Sequence, residues 1–136
     1  MEKYPGNCFA GTRTSDKLYY RKHNPFISAN NIRENPERCA KIVNADEIEA
    51  DLDNGSLPQF SFYTPDMNND GHDTSLDYAA NWLQGFLEPK LARKDFMDGE
   101  TLVIVTFDEN DYILEDNLVW TGLIGSGVQA RQSRAA

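Results

Sequence analysis

The chain has 136 residues, of which 40% are hydrophobic and 26% are charged, and its formal net charge at pH 7 is −9. A chain of this size suits one globular domain, and an acidic balance without a lysine or arginine cluster argues against nucleic-acid binding. No apolar run approaches the roughly 18 residues that a membrane-spanning helix needs, and we expect no signal peptide because Met1 is not followed by an apolar segment.

The first quarter of the chain predicts mostly irregular structure. Residues 1–27 contain several glycine and proline breakers and few periodic apolar positions. A short helix is predicted over residues 28–35, ending before Pro36. Residues 21–26 (RKHNPF) form a compact basic and imidazole cluster, which is either a functional segment around His23 or a solvated loop.

Two covalent features are compatible with export. Cys8 and Cys39 can form one disulfide or remain two free thiols, and their number alone does not decide between these states. Asn54-Gly55-Ser56 is an N-glycosylation sequon, which has meaning only in an exported protein.

The middle of the chain predicts a helix, a strand and a second helix. Residues 44–47 (NADE) have the chemistry of a capping box, which predicts a helix over residues 45–53. The alternating aromatic pattern of residues 59–63 predicts a strand. Residues 76–90 carry an amphipathic stripe typical of a helix, which Pro89 should strain or end near its last turn.

The strongest apolar run, at residues 102–107 (LVIVTF), predicts a strand that is buried on both faces. Together with strand 59–63 and helix 76–90 it predicts a right-handed βαβ unit with parallel strands. A further strand is predicted over residues 118–124, and residues 129–136 are predicted to form a frayed tail.

Polar residues follow both predicted parallel strands. Asp108 and Glu109 come directly after one strand, and the loop of residues 69–73 (NDGHD) follows the other. Because the carboxyl ends of parallel strands lie at one edge of a sheet, we expect the two loops to share a pocket. Carboxylates there suit a divalent cation, although they can also simply solvate the end of a strand. His72 is a candidate ligand, general acid or hydrogen-bond donor.

Six strings occur in the same order as in the phosphoesterase family, which includes secreted fungal acid phosphatases and bacterial phospholipase C-type enzymes. They are YPGNC, RKHNPF, RCAKI, LPQFSFYTPDMNNDGHDTS, NWLQGFL and LVIVTFDEN. The resemblance extends from about residue 4 to about residue 128, and the chain is most similar to the fungal acid phosphatases.

The resemblance implies an α/β fold, namely part of an alkaline-phosphatase-like, mostly parallel sheet with flanking helices. It also implies metal-assisted hydrolysis of a small phosphoester. The site residues that it implies are Asp108 and Glu109 as ligands of a divalent metal ion, Asn69 and Asp70 as substrate-binding residues, and His72 and His23 as catalytic residues. It further implies a Cys8–Cys39 disulfide and a secreted full-length enzyme.

Family members also carry a Glu-Asn metal-binding motif and a serine or threonine nucleophile upstream of the YPG segment. We therefore expect residues 1–128 to be the C-terminal portion of a phosphoesterase domain and to be weakly active or inactive alone. The alternatives are a phospholipase C-type phosphodiesterase and a non-catalytic fragment or cation-binding module.

Overall fold

In the computed structural model, residues 1–97, 99–110 and 116–131 are described. They fall into two compact units, Met1–Phe86 and Leu87–Ala136. After a 3₁₀ turn at Arg21–His23, the elements are α1 (Pro25–Ser28), α2 (Asn30–Arg33), α3 (Pro36–Cys39), α4 (Glu47–Asn54), α5 (Leu76–Leu91), α6 (Lys94–Met97), β1 (Leu102–Thr106) and β2 (Thr121–Gly125). No helix in these ranges combines the length and the hydropathy of a membrane span.

The core of the first unit is small and aromatic. The Tyr19 ring lies between those of Tyr4 and Phe9, with centroid distances of 5.5 and 6.0 Å. A disulfide joins Cys8 to Cys39, whose Cα atoms are 5.8 Å apart, and Cys39 is buried. The predicted disulfide is therefore confirmed, and it links the irregular N-terminal segment to α3.

The region predicted as one helix over residues 28–35 is instead a series of single-turn helices. Pro25 and Pro36 each occupy the first turn of a helix, and the preceding side chains of Asn24 and Asn35 accept hydrogen bonds from backbone N–H groups as N-caps. Proline is tolerated there because the N–H that it lacks would be unpaired anyway. The Asn-Pro pairs thus start helices, and this is why the predicted bounds were wrong.

The two longer helices lie close to their predicted positions. Helix α4 ends at Asn54, and Gly55 follows it with a φ of 65°, the left-handed conformation that glycine adopts without strain. Helix α5 continues to Leu91, with Pro89 inside it. The helix was predicted over residues 76–90 with its end near Pro89, and it ends at Leu91.

The predicted parallel sheet is not found in the described residues. Residues 59–63 form no strand, and Phe60 and Phe62 are 73% and 51% exposed. Strand β1 instead pairs with β2 in antiparallel register. An alternating pattern becomes a strand only when a neighbouring strand supplies hydrogen bonds and packing, and residues 59–63 have no such neighbour among the residues that the structure describes. The described chain is a mixture of helices and a small antiparallel sheet.

Strand β1 is also less buried than predicted. Leu102 and Ile104 are 52% and 58% exposed, and Leu123 on β2 is 51% exposed. A sheet of two strands leaves most of its apolar surface in contact with water, whereas burial on both faces needs covering layers.

The strand predicted over residues 118–124 begins only at Thr121. Of the tail predicted over 129–136, residues 132–136 lie outside the described ranges.

Candidate functional site

His23 is held in place by buried residues that follow it directly. Asn24 is 1% exposed and Ile27 is 0% exposed. The Asn24 side-chain amide donates to the Tyr19 hydroxyl at 3.4 Å and its oxygen accepts from the Ile27 N–H at 3.3 Å. The Thr64 hydroxyl donates to the His23 carbonyl at 3.3 Å. The HNPF segment thereby fixes the backbone of His23 against the core.

The NDGHD loop is ordered by a buried carboxylate. Asp66 is 5% exposed, and its Oδ1 accepts from the N–H groups of Asn68 and Asn69 at 3.0 and 3.1 Å. Met67, which is also buried, donates its N–H to the Leu18 carbonyl at 3.1 Å. The loop therefore has a defined conformation, although it is not a helix or strand.

Asp70 connects the two histidines. Its Oδ2 lies 3.3 Å from His23 Nδ1, and both side chains are 17% exposed. Its Oδ1 accepts a hydrogen bond of 2.8 Å from the His72 N–H. Between them, Gly71 has a φ of 90°, which residues with a Cβ rarely adopt. The glycine lets the loop turn so that one carboxylate serves both histidines.

His72 has a carboxylate of its own. Its Nδ1 lies 3.0 Å from Asp73 Oδ1, and the two side chains are about half exposed. The rings of His72 and His23 have centroids 6.0 Å apart, inclined at 53°. The site therefore consists of two His–Asp pairs whose imidazoles lie side by side. We call these four residues (His23, Asp70, His72 and Asp73) the imidazole pair site.

The geometry also defines what each imidazole can do. A carboxylate beside Nδ1 favours the tautomer with the proton on that nitrogen, which leaves Nε2 as the base of the neutral ring and a donor in the charged ring. Neither Nε2 of His23 nor that of His72 hydrogen-bonds to another residue in the described part of the chain. Both are available to an oxyanion.

The two residues predicted as metal ligands lie in the second unit. Asp108 and Glu109 follow β1 and are exposed. The Asp108 carbonyl accepts from the Asn117 side-chain amide at 3.0 Å, and the Asn117 oxygen accepts from the Asn110 N–H at 2.9 Å. Across residues 1–97, 99–110 and 116–131 no three histidine, cysteine or acidic side chains converge as a metal site.

The parallel strands that were predicted to bring Asp108 to the NDGHD loop are absent from the described residues, where β1 pairs with β2 in the antiparallel direction. A shared pocket stays a prediction. The assignment of Asp108 and Glu109 as metal ligands also stays a prediction.

The sequence model of the phosphoesterase family matches residues 2–115. The chain belongs to the phosphoesterase family. This region includes the complete imidazole pair site together with Asp108 and Glu109. The family expected from the order of the six strings is therefore confirmed.

Curated relatives of this phosphoesterase are named as acid phosphatases. A probable acid phosphatase of Kluyveromyces lactis is 42% identical over 122 residues, which are 90% of this chain and 29% of that protein. A phosphate-repressible acid phosphatase of Penicillium chrysogenum is 39% identical over 131 residues, which are 94% of this chain and 32% of that protein. An acid phosphatase of Aspergillus fumigatus is 36% identical over 125 residues, which are 92% of this chain and 28% of that protein.

The chain thus spans less than a third of the length of the curated relatives that it matches. No solved structure matches it.

Two acidic residues of this phosphoesterase had no predicted role of their own. These residues are Asp73 and Glu2. The Glu2 carboxylate accepts from the Tyr63 hydroxyl at 2.9 Å, the Asp66 N–H at 2.7 Å and the Asn69 side-chain amide at 2.8 Å. The adjacency of His72 and Asp73 is a signal in the sequence, whereas nothing local indicates Glu2.

Asn69 and Asn54 were predicted as a substrate-binding residue and a glycosylation site. The Asn69 amide already donates one hydrogen bond to Glu2, so its second N–H and its oxygen are left for a contact with a substrate. Asn54 is exposed at the end of α4. Both roles stay predictions.

Proposed function

We propose that this chain contributes the imidazole part of a phosphoester hydrolase site of the acid phosphatase type, with a small phosphoester as substrate. The observation that carries the proposal is the pairing of His23 with His72, each with a carboxylate at Nδ1. Family membership and the names of the relatives support the reaction class. Because the chain covers under a third of those relatives, the proposal concerns the steps that its own residues perform.

In the proposed reaction, both imidazoles act through Nε2. A charged ring donates its Nε2–H to a non-bridging phosphoryl oxygen and stabilises the negative charge that develops there. The second charged ring transfers its Nε2 proton to the oxygen of the leaving group as the bond from phosphorus to that oxygen breaks and a new bond forms from phosphorus to the oxygen of an attacking water or hydroxyl group, which loses its proton. Asp70 and Asp73 hold the rings in orientation and stabilise their positive charge. Acidic solution favours the charged form of an imidazole, which suits an acid phosphatase.

Asp108 and Glu109 are proposed as ligands of a divalent metal ion. Their carboxylate oxygens are the hard donors that Mg²⁺, Ca²⁺ and Mn²⁺ prefer. Two carboxylates are fewer than the six or so ligands that such ions take, and in the described part of the chain no third histidine, cysteine or acidic side chain converges with them. These two carboxylates by themselves are therefore expected to bind a metal only weakly, and no step above depends on one. A bound ion would polarise a phosphoryl oxygen.

We also propose that the full-length enzyme is exported. The support is the Cys8–Cys39 disulfide, since disulfides persist in oxidising compartments and are rare in the cytosol. Exposed Asn54 would then be open to glycosylation. The test is expression through the secretory pathway followed by glycosidase treatment, and Asn54→Gln should remove any mass shift. An unmodified Asn54 would contradict the glycosylation site.

The test of the imidazole site is phosphate binding, because it does not require turnover. The chain has only two histidines, so each ring signal in a long-range ¹H–¹⁵N spectrum belongs to His23 or His72. Titration with inorganic phosphate should shift both sets of signals with one dissociation constant. His72→Gln should weaken binding about tenfold, the usual effect of losing a charge-assisted hydrogen bond. Ring signals that respond equally to chloride at the same ionic strength would overturn the proposal.

Turnover provides a second, separate test. Hydrolysis of an aryl phosphate by the 136-residue chain is expected to be weak, and EDTA should change it little, because the described metal ligands are incomplete. An aryl phosphodiester measured in parallel tests the phospholipase C-type alternative. Vigorous hydrolysis that EDTA abolishes would contradict the inference that the metal ligands are incomplete.

A further inference from the structure

A shallow cavity lies beside the imidazole pair site in the first unit and has no role in the reaction described above. Its volume is about 320 Å³ and its lining residues are Thr12, Tyr20, Arg21, Lys22 and Ser28. Three of these carry hydroxyl groups and two are cations, and none is acidic. The volume is at the lower end of the range for small-molecule sites. We call this feature the cationic cavity.

The backbone around the cationic cavity is well ordered. The Arg21 N–H donates to the Thr12 carbonyl at 3.0 Å, and Arg13 and Tyr20 form an antiparallel bridge. The His23 N–H donates to the Tyr20 carbonyl at 3.1 Å. One turn of backbone therefore fixes both the wall of the cavity and the position of His23.

The cations of the cavity are available to a ligand. In the part of the chain that the structure describes, neither Arg21 nor Lys22 forms an ion pair with a carboxylate. Lys22 Nζ lies 6.0 Å from the centre of the Tyr20 ring, and Arg13 lies on the same ring at 5.9 Å. In a chain with a net charge of −9, adjacent unpaired cations beside hydroxyl donors form a local site for an anion.

The wall of the cavity and the imidazole pair site are neighbours in the structure. The centre of the Tyr20 ring, which lines the cavity, is 6.5 Å from the centre of the His23 ring. We propose that the cationic cavity binds a second phosphate group of the substrate, so that the preferred substrates are small bisphosphates. This inference rests on the proposed function, because the first phosphate must be bound by the histidines.

The experiment compares two sugars that differ by one phosphate. Binding of fructose 1,6-bisphosphate and fructose 6-phosphate to the 136-residue chain is measured by calorimetry at fixed ionic strength. The bisphosphate should bind about tenfold more tightly. Lys22→Gln should reduce this preference about fivefold, since an exposed charge-assisted contact is partly screened. Lys22→Arg should retain it.

The matched control is Lys41→Gln. Lys41 is exposed and lies outside the cavity lining, so this variant makes the same change in net charge and should keep the bisphosphate preference. Equal affinity of the wild-type chain for both sugars, or no measurable binding of either, would overturn the proposal. An equal loss of preference in Lys22→Gln and Lys41→Gln would also overturn it, because the effect would then be one of general charge.

The ring signals of the two histidines distinguish this proposal from the proposed function. If both sugars shift the His23 and His72 signals but Lys22→Gln leaves the preference unchanged, the cavity proposal fails and the proposed function stands. If Lys22→Gln reduces bisphosphate binding while neither sugar moves the ring signals, the cavity binds an anion and the assignment of the histidines fails.

Discussion

The carboxylate of Glu2 accepts a hydrogen bond of 2.8 Å from the side-chain amide of Asn69, which is 67 positions later in the chain. The same carboxylate binds the Tyr63 hydroxyl and the Asp66 N–H. The Glu2 N–H donates in turn to the Thr64 carbonyl at 3.0 Å. Glu2 thus fixes both ends of the segment that leads into the NDGHD loop.

Glu2→Gln should therefore loosen this loop and destabilise the fold. In the wild type, the carboxylate oxygens of Glu2 face hydrogen-bond donors. In the glutamine variant, an N–H₂ group replaces one of these oxygens and cannot accept from a donor. At least one hydrogen bond to a charged group is therefore lost, at a cost of about 2 kcal/mol. Urea denaturation should show the change in the free energy of unfolding. Glu37→Gln is the control, since Glu37 is exposed in α3. Equal stability of both variants would show that the Glu2 contacts make no net contribution to the free energy of unfolding.

Asp73 should determine the tautomer of His72. Because Asp73 Oδ1 lies 3.0 Å from His72 Nδ1, Asp73→Asn should raise the fraction of the neutral ring that carries its proton on Nε2. Long-range ¹H–¹⁵N spectra measure this fraction directly, and phosphate affinity should fall several-fold with it. Asp77→Asn, an exposed change in α5, should leave His72 unchanged. An unaltered tautomer in Asp73→Asn would mean that the contact does not orient the ring.

The stability of the protein should fall in alkaline solution. Burial, with a further contribution from the hydrogen-bonded Glu2 carboxylate, raises the pKa of the Tyr63 phenol, and burial also raises the pKa of Tyr4 and Tyr19. The unfolded chain ionises its tyrosines near pH 10, whereas the folded chain keeps these phenols neutral. The stabilisation is thus complete below about pH 10 and is lost as the pH rises toward the folded-state pKa.

Thermal unfolding between pH 8 and pH 11 tests this expectation. Tyr63→Phe cannot ionise, so its melting temperature should fall less steeply with pH than that of the wild type. Tyr78→Phe is the control, because Tyr78 is 49% exposed, and it should follow the wild-type curve. Parallel curves for all three proteins would contradict the role of Tyr63.

Loss of the disulfide should destabilise the first unit. The bond joins residues 31 positions apart, and closing a loop of that length in the unfolded chain corresponds to about 3–4 kcal/mol in the entropic description. Urea denaturation of a double variant, Cys8→Ala with Cys39→Ala, should show this decrease in the free energy of unfolding. The wild type measured with a phosphine reductant should approach the same midpoint. A reduced protein as stable as the oxidised one would argue against the bond.

Divalent metal should bind weakly at the end of β1. Two exposed carboxylates, those of Asp108 and Glu109, are expected to give a dissociation constant of about 1 mM or weaker. Mn²⁺ should broaden the amide signals of both residues, and Mg²⁺ should compete. Glu109→Gln should abolish the broadening, whereas Glu100→Gln, an exposed change in the same unit, should not. Broadening that persists in Glu109→Gln would place the ion elsewhere.

The sequence by itself determined the features that depend on neighbours within a few residues. The polar residues before α4 and the three-and-four spacing of α5 place those helices to within about two residues, because a helix is stabilised by its own local hydrogen bonds. The predicted capping box itself was wrong, since Asp46 is the N-cap of α4 and its side chain makes no cap hydrogen bond. The adjacency of Asp70, Gly71, His72 and Asp73 likewise indicated a polar site. The order of the short strings indicated the phosphoesterase family, because recognising a family from its sequence strings requires no knowledge of which residues are in contact.

Only the tertiary structure decided which distant segments meet. The alternating pattern of residues 59–63 has no strand partner in the described chain, and β1 pairs with β2 in the antiparallel direction, because strand pairing depends on neighbours that no local pattern names. The contacts of Asp70 with His23 and of Glu2 with Asn69 join residues 47 and 67 positions apart. Such contacts arise when the chain folds around a common core, so the distances and carboxylate partners of the two imidazoles became visible only in three dimensions.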